Sequence, residues 1–386
     1  MTQTALSPKE SANHIPGLDG VRGLAVLMVV CYHGQIFLDG SSLAERVWIS
    51  AFRGGWCGVD LFFVLSGFLI TTILIQTRQD SHYFCNFFMR RVLRIFPLYF
   101  VSLFLLFSWL SEVDSSVQVW HYLFFQNWMT VFGTPSPPGI LSHFWSLAVE
   151  EQFYLVWPVV IWFLHPRHVP AFCLATISLA CAARCVGKWY GLPEGNLYGL
   201  TPFRLDSLAT GALVASCRLG DLKDQLHRFA PVLFSAALAG VVAIAITDNS
   251  SSFGSLVQTA GYTTFAFMSG TLIAMIADGH PFARPLCRVF NSHLLRYLGR
   301  RSYAIYIVHA PILIVTVNLS RERQLRDDAG IRDIVYFALA VVVTVIVSEL
   351  SWHILENPFL RLKRWFPRGS EHSERPIATP QQTSTM

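Results

Sequence analysis

Long apolar runs, separated by short polar stretches, follow one another along nearly the whole chain. About ten of them have the length that an α-helix needs to cross the hydrocarbon core of a bilayer, about 20 residues. They fall at residues 20–38, 57–76, 93–111, 144–164, 169–187, 202–217, 229–247, 257–277, 302–319 and 334–354. The pattern predicts an all-α fold, a polytopic membrane protein built as a bundle of about ten transmembrane helices.

Polar stretches mark the two ends of this series. Residues 1–14 form a polar tail without the cleavage pattern of a signal peptide, so the first apolar run is expected to stay in the protein as a helix. Residues 15–362 are predicted to form one membrane domain, without an internal repeat or a water-soluble unit. The polar, Ser/Thr/Pro-bearing residues 363–386 predict a disordered C-terminal tail.

Composition supports the membrane assignment, and charge orients the bundle. Hydrophobic residues make up 53% of the 386 residues and charged residues only 14%, where a soluble domain would carry nearer a quarter. The formal net charge of +5 is too mild for a nucleic-acid footprint, and we interpret it as a topology signal. A cytoplasmic N-terminus puts about two thirds of the Lys and Arg residues inside, and an even number of spans then places both termini in the cytoplasm.

The cysteines do not indicate a metal site. The eight of them are scattered, without a CxxC pair or a Cys/His cluster at metal-ligand spacing. Cys181 and Cys185 lie one helical turn apart, where small apolar packing is the simpler interpretation. We therefore expect no bound metal.

The first apolar run carries an arginine at one end and a histidine near the other. In RGLAVLMVVCYHG, Arg22 and His33 lie eleven residues apart, which returns to nearly the same helix face about 16 Å farther along. If Arg22 lies at one surface of a core about 30 Å thick, His33 lies near its middle. An ionisable group at that depth marks a functional site. The alternative is a histidine bonded to a carboxylate that ties two helices together.

Carboxylates and hydroxyls also enter the predicted spans. The second run reads GGWCGVDLFFVLSGFLI, whose glycines suit close helix approach. Its Asp60 needs a partner, and its Ser66 is expected to bond its own backbone rather than to take part in chemistry. The fourth run opens FWSLAVEEQFYLVWP, with Glu150, Glu151 and, one turn below, Tyr154. Structural ion pairing and a direct substrate role both fit the two glutamates.

Two arginine motifs have different interpretations. In FFMRRVLRIFPLYF, Arg91 and Arg94 share a helix face, and they suit either a topology anchor on lipid phosphates or a clamp for the phosphates of a cytoplasmic cosubstrate. In FRLDSLATGALVA, Arg204 and Asp206 favour structural pairing with other helices.

The ninth and tenth runs carry further ionisable groups. In YLGRRSYAIYIVHAPIL, Tyr303, Tyr306 and His309 follow at three-residue spacing along one side of the helix. The tyrosines would fit an interfacial aromatic belt, but His309 lies too deep for one. Glu349 and His353 lie one turn apart on one face of the last run.

These motifs, in this order, resemble the integral-membrane acyltransferase family 3, and the resemblance covers roughly residues 15–362. Its members are mostly bacterial O-acyltransferases that modify surface polysaccharides, peptidoglycan, lipid-linked sugars or small glycosylated products. The resemblance implies a multi-pass protein of the inner (cytoplasmic) membrane, with acyl-CoA, usually acetyl-CoA, as cytoplasmic cosubstrate and no permanently bound cofactor. Longer members carry an appended esterase-like domain outside the membrane, which we do not expect here.

The resemblance also assigns residues to roles. The family's Arg-x10-His motif matches Arg22 and His33, and its arginine pair matches Arg91 and Arg94. A histidine suits the base that O-acyl transfer needs, acting on the acceptor hydroxyl directly or accepting the acyl group first. The other expected roles are CoA phosphate binding by Arg22, Arg91 and Arg94, orientation of His33 or acceptor binding by Glu150 or Glu151, oxyanion donation by Tyr303 or Tyr306, and polar support by Asp60, Ser66, Tyr154, Arg204, Asp206 and His309.

A proton-coupled exporter of a lipid-linked sugar is the alternative function, because buried His, Glu and Arg side chains also suit proton coupling. Against it, span lengths show no two-fold repeat and no broken helices. A membrane scaffold would not need so many ionisable groups at depth.

Overall fold

The structure, a computed structural model, describes residues 15–38, 40, 42–110, 113–248, 251–322 and 329–367, and these residues form helices and turns without a strand. Ten long helices account for most of them. They are α1 (Pro16–His33), α2 (Cys57–Gln76), α3 (Tyr83–Trp109), α4 (Trp145–Phe163), α5 (Val169–Trp189), α6 (Thr201–Leu219), α7 (Lys223–Thr247), α8 (Tyr262–Ala277), α9 (His293–Glu322) and α10 (Ala329–Ser351).

Each predicted apolar run lies for most of its length in one of these helices, and the prediction of an all-α polytopic membrane protein is confirmed. Eight helical stretches of the described residues are long and apolar enough to cross a membrane. The helices α4 and α6 are not among the eight, because Glu150 and Glu151 in α4, and Arg204 and Asp206 in α6, lower their mean hydropathy. The orientation of the termini stays a prediction.

Helix α1 lies between α2 and α9, and the bundle extends from this centre in both directions. On one side α2 packs against α6, and α6 against α5; on the other, α9 packs against α10. Helix α8 crosses α2 and α6 and carries α7 on its outer side, while α4 packs on α2. Helix α3 contacts α9 and the short helix Asn357–Arg361, which follows α10. Residues from α1, α2, α3, α4 and α9 can therefore face a common space.

Glycines allow the closest helix contacts. A methyl group on Gly23 of α1 would overlap the backbone carbonyl of Leu295 in α9. At the α2–α6 contact, Gly67 meets the carbonyl of Leu208 in the same way, and Gly211 makes the reciprocal approach to α2. In a membrane, where helix association depends on close packing, small residues at these positions let the backbones meet.

Buried ion pairs tie the core helices together. Asp60 of α2 pairs with Arg204 of α6 and also accepts a hydrogen bond of 2.7 Å from Ser207. Arg184 of α5 lies 2.9 Å from Asp206 of α6. All four charged side chains are 0% exposed. Arg204 and Asp206 thus each pair with another helix, and Arg204 is the partner that Asp60 needs.

The ordered chain extends past the predicted domain boundary at residue 362. Leu362–Trp365 forms a 3₁₀ turn, and Arg90 of α3 donates to the carbonyl of Phe366 at 3.0 Å. Asn86, one turn earlier in α3, donates to Pro367 at 2.7 Å. The prediction of a disordered tail is wrong for residues 363–367, because these donors hold its carbonyls. The predicted tail segments 1–14 and 368–386 lie outside the described residues.

We expect Asp60→Ala to lower the stability of the folded protein strongly, because it leaves Arg204 charged and unpaired inside the bundle. Breaking a buried pair costs about 3–5 kcal/mol. The measurement is thermal unfolding in detergent, with Glu194→Gln as control. That substitution opens the exposed Lys188–Glu194 pair, which should contribute at most about 1 kcal/mol. Equal losses in the two variants would contradict the structural role of Asp60.

Candidate active site

A cavity lies between α1, α2, α3, α4 and α9. Its walls are partly apolar, with Val59, Phe62 and Leu147 among them. Nine of the residues singled out in the sequence line it: Arg22, Ser66, Arg91, Arg94, Glu150, Glu151, Tyr154, Tyr303 and Tyr306. The fold thus collects into one space the polar residues of five separate motifs.

Three arginines converge on this cavity from two helices. Arg22 comes from α1, and Arg91 and Arg94 come from one face of α3. Arg22 has a long ion pair with Asp19, 3.8 Å between Nη1 and Oδ1, and the guanidinium of Arg91 lies 5.2 Å from the ring centroid of Tyr154. Arg22 and Arg94 also repel each other across the cavity. Such a cluster of like charges favours an anion between them.

The glutamates belong to the arginine end of the cavity. Ser66 donates to Oε1 of Glu150 at 2.5 Å, and the hydroxyl of Tyr154 donates to Ser66 at 3.0 Å. A hydroxyl has one proton, so Ser66 does not bond its own backbone, and that sequence interpretation is wrong. The carboxylate that α4 brings to Ser66 is a stronger acceptor than a backbone carbonyl. Glu150 interacts electrostatically with Arg22, and Glu151 does so with Arg91.

Tyr303 and Tyr306 donate their hydroxyl protons to backbone carbonyls. Tyr303 donates to Ile95 at 2.6 Å, and Tyr306 donates to His143 at 3.0 Å. Ser146 is in short hydrogen-bond contact with the Tyr306 hydroxyl as well. A phenol carries one proton, so in this geometry neither tyrosine has a proton available for an oxyanion.

His33 lies at the C-terminal end of α1, half-buried, and pairs with His309 rather than with a carboxylate. Its Nδ1 is 3.1 Å from Nε2 of His309, and the two ring centroids are 5.0 Å apart. The expectation that Glu150 or Glu151 orients His33 is therefore wrong. Both glutamates share the cavity with Arg22, and eleven helical residues separate Arg22 from His33 by about 16 Å.

His143 completes a cluster of three imidazoles that sequence analysis missed. Its ring centroid lies 5.3 Å from that of His309, and the residue is 3% exposed. Its Nε2 lies 3.1 Å from the carbonyl oxygen of Ile307. Pro311 has no N–H to donate to that carbonyl within α9, so His143 supplies the missing donor. The Pro311 position was the signal in the sequence that could have revealed a free carbonyl, but not which residue would reach it.

The imidazole cluster differs from the arginine end in its chemistry. Burial lowers the pKa of His143 to about 3, so this ring is neutral near pH 7. Within the described residues, no group of three or more His, Cys, Asp or Glu side chains is arranged to hold a metal ion. The imidazole cluster offers proton acceptors and donors.

Residues 15–353 match a family model described as "Acyltransferase domain", that of acyltransferase family 3. The chain belongs to acyltransferase family 3. The match covers α1 to α10 of this chain, and therefore includes both the cavity and the imidazole cluster.

Several known proteins are similar to the chain over about 90% of its length. It is 30% identical over 379 residues to the "Putative peptidoglycan O-acetyltransferase YrhL" of Bacillus subtilis, covering 89% of this chain and 55% of the relative. It is 28% identical over 380 residues to the "Peptidoglycan O-acetyltransferase OatA" of Listeria monocytogenes, covering 90% and 56%. It is 25% identical over 371 residues to "O-acetyltransferase OatA" of Staphylococcus aureus, covering 90% and 57%.

The chain spans a little over half the length of these relatives. No solved structure matches it. Its family 3 membership therefore rests on the family model, and the helix arrangement on the structure described above.

Removing the Ser66 hydroxyl should destabilise the protein more than removing a hydroxyl that bonds only its own helix. Ser66→Ala removes the hydroxyl that donates to the Glu150 carboxylate at 2.5 Å, at a cost of about 1–3 kcal/mol. The matched control is Thr72→Val, because Thr72 of α2 donates to the Phe68 carbonyl one turn earlier. Unfolding in detergent with added denaturant measures both. Similar losses for the two variants would restore the backbone interpretation of Ser66.

Proposed function

We propose that the chain is a membrane O-acetyltransferase of the cytoplasmic membrane, which moves an acetyl group from cytoplasmic acetyl-CoA to a hydroxyl of a cell-envelope saccharide such as peptidoglycan. Family membership and the names of the relatives support the reaction class and the acceptor. The observation that carries the proposal is the convergence of Arg22, Arg91 and Arg94 on one cavity inside the bundle.

The three arginines would bind the phosphates of CoA. Arginine forms paired, charge-assisted hydrogen bonds to phosphate oxygens, and three arginines line one cavity here. Arg91 and Arg94 face the cavity rather than the lipid, which favours the clamp over the topology anchor. Arg90, their neighbour, has a different task, because its guanidinium binds carbonyls of the C-terminal segment.

Helix α1 would set the distance between the phosphate-binding arginines and the catalytic base. Arg22 lines the cavity, and His33 lies about 16 Å farther along the same helix. Tyr306 lines the cavity, and its ring centroid lies 5.5 Å from that of His309, the partner of His33. A pantetheine arm held by its phosphates at the arginines would extend past apolar walls and Tyr306 toward His33, with the thioester at its tip.

The transfer itself would need one base. His33 removes the proton from the acceptor hydroxyl as its oxygen attacks the thioester carbonyl. The tetrahedral intermediate collapses with cleavage of the C–S bond, and the leaving CoA thiolate takes the proton from the imidazolium. The acetyl ester and CoA-SH are the products, and His33 returns to its neutral form. Acetylation of His33 before the acceptor arrives is the alternative route, which would show as slow hydrolysis of acetyl-CoA without acceptor.

His33→Ala should abolish CoA release while the protein is still produced and inserted at a normal level. Loss of a general base costs about 100- to 10,000-fold in rate. The assay uses purified protein in lipid nanodiscs, acetyl-CoA and peptidoglycan glycan strands, and follows free CoA. His82→Ala is the control, since His82 is exposed in the turn before α3. Full activity in His33→Ala would remove the base assignment, and no consumption of acetyl-CoA by the wild type would favour the exporter.

Arg91→Gln should raise the KM for acetyl-CoA about 10- to 100-fold, the loss expected for a hydrogen bond to a charged group, with a smaller change in kcat. Arg90→Gln, the adjacent substitution, should lower thermal stability and leave KM unchanged, because Arg90 binds the chain's own carbonyls. Isothermal titration with CoA gives an independent affinity. Unchanged CoA affinity in Arg91→Gln would return this arginine to the lipid-anchor interpretation.

A further inference from the structure

His309 is fully buried and makes a hydrogen bond at each ring nitrogen. Its Nδ1 lies 2.6 Å from the backbone carbonyl oxygen of Tyr306, and its Nε2 lies 3.1 Å from Nδ1 of His33. The residue is 0% exposed. One ring nitrogen therefore contacts the backbone of its own helix, and the other contacts the histidine of α1.

The contact with the Tyr306 carbonyl determines which ring nitrogens of His309 and His33 carry a proton. A carbonyl oxygen can only accept, so Nδ1 of His309 carries the proton. In the neutral ring, Nε2 of His309 then has the lone pair and accepts. The hydrogen between the two rings must belong to Nδ1 of His33. A neutral His33 consequently carries its lone pair on Nε2, the nitrogen that faces away from His309.

Neighbouring side chains hold the His309 ring in this orientation. The ring packs against those of His143 and Tyr306, with centroid distances of 5.3 and 5.5 Å, and these two rings are 5.7 Å from each other. The Tyr306 hydroxyl donates to the His143 carbonyl, and His143 donates to Ile307, so the turn of α9 that precedes His309 is tied to the segment Gly139–Phe144. Packing against two rings and the Nδ1 hydrogen bond to the Tyr306 carbonyl hold His309 in one rotamer, and its Nε2 lone pair stays directed at α1.

We propose that His309 is a positioning residue for the acyl transfer, which sets the tautomer of His33 so that Nε2 of His33 is the atom that takes the acceptor proton. This inference rests on the proposed function. The backbone carbonyl of Tyr306 fixes the tautomer of the neutral His309 ring, and His309 in turn fixes the tautomer of His33. In a Ser-His-Asp triad, a carboxylate orients the histidine in the same way. Because the partner is neutral, it orients the imidazolium without adding a counter-charge, and the proton is readily returned to the CoA sulfur.

Two substitutions of similar size distinguish positioning from packing. In His309→Gln, the side-chain oxygen can reach the place of the imidazole Nε2 and accept from His33. In His309→Asn, the shorter amide reaches only the place of Nδ1, and Nδ1 of His33 loses its acceptor on α9. We expect His309→Asn to lower kcat about 10- to 100-fold with an unchanged KM for acetyl-CoA. His309→Gln should keep most of the wild-type kcat.

The tautomer can also be observed without activity. In protein labelled with ¹⁵N-histidine and studied by solid-state NMR in nanodiscs, the His33 signals are those that His33→Ala removes. We expect His33 protonated at Nδ1 in the wild type and in His309→Gln, and no longer uniformly so in His309→Asn. A wild-type His33 protonated at Nε2 would overturn the proposal, even if His309→Asn did not fold.

The failure of this inference differs from the failure of the proposed function. If the wild type releases CoA and both His309 variants have the wild-type kcat, His309 has no positioning role, and the acetyltransferase proposal stands. If both variants lose activity equally while their thermal stability is normal, the accepting atom is not what matters, and the proposal also fails. If the wild type releases no CoA with any acceptor, the proposed function fails, whatever the NMR spectrum shows.

Discussion

A charged side chain in hydrocarbon is costly unless it finds a partner inside the bundle, and this requirement organises the polar residues of the described helices. The pairs Arg204–Asp60 and Arg184–Asp206 have no exposed surface, and they join α2, α5 and α6. Around the cavity, three arginines meet two glutamates, and Arg22 also has a long ion pair with Asp19. The closed pairs serve the fold, and the arginines that line the cavity are the groups that a phosphate-bearing substrate would contact under the proposed function.

Helix α1 connects two ends of different chemistry. At the Arg22 end the side chains are charged, and Ser66 and Tyr154 hold one of the carboxylates in place. At the His33 end the groups are imidazoles, whose hydrogen bonds run to each other and to backbone carbonyls. Under the proposed function, this separation along one helix would hold an anionic cosubstrate at a distance from the histidine that acts as base.

The close contact between α1 and α9 brings together the imidazoles at the His33 end of α1. Gly23 lets the two backbones approach, and this approach brings His33 within hydrogen-bond distance of His309. Pro311, two residues beyond His309, leaves the Ile307 carbonyl free, and His143 occupies it. Small residues and a proline, neither of which has any chemistry of its own, therefore determine where the imidazoles lie.

Hydropathy, composition and the order of the motifs were sufficient for the helices, the membrane assignment and the family, because each depends on residues close in the chain. They also identified the arginines, glutamates and tyrosines that line the cavity. They could not assign partners. Ser66 bonds Glu150 rather than its backbone, and His33 meets a histidine 276 residues away rather than a carboxylate. Which side chains meet depends on how closely packed helices are rotated against each other, and only the tertiary structure specifies that rotation.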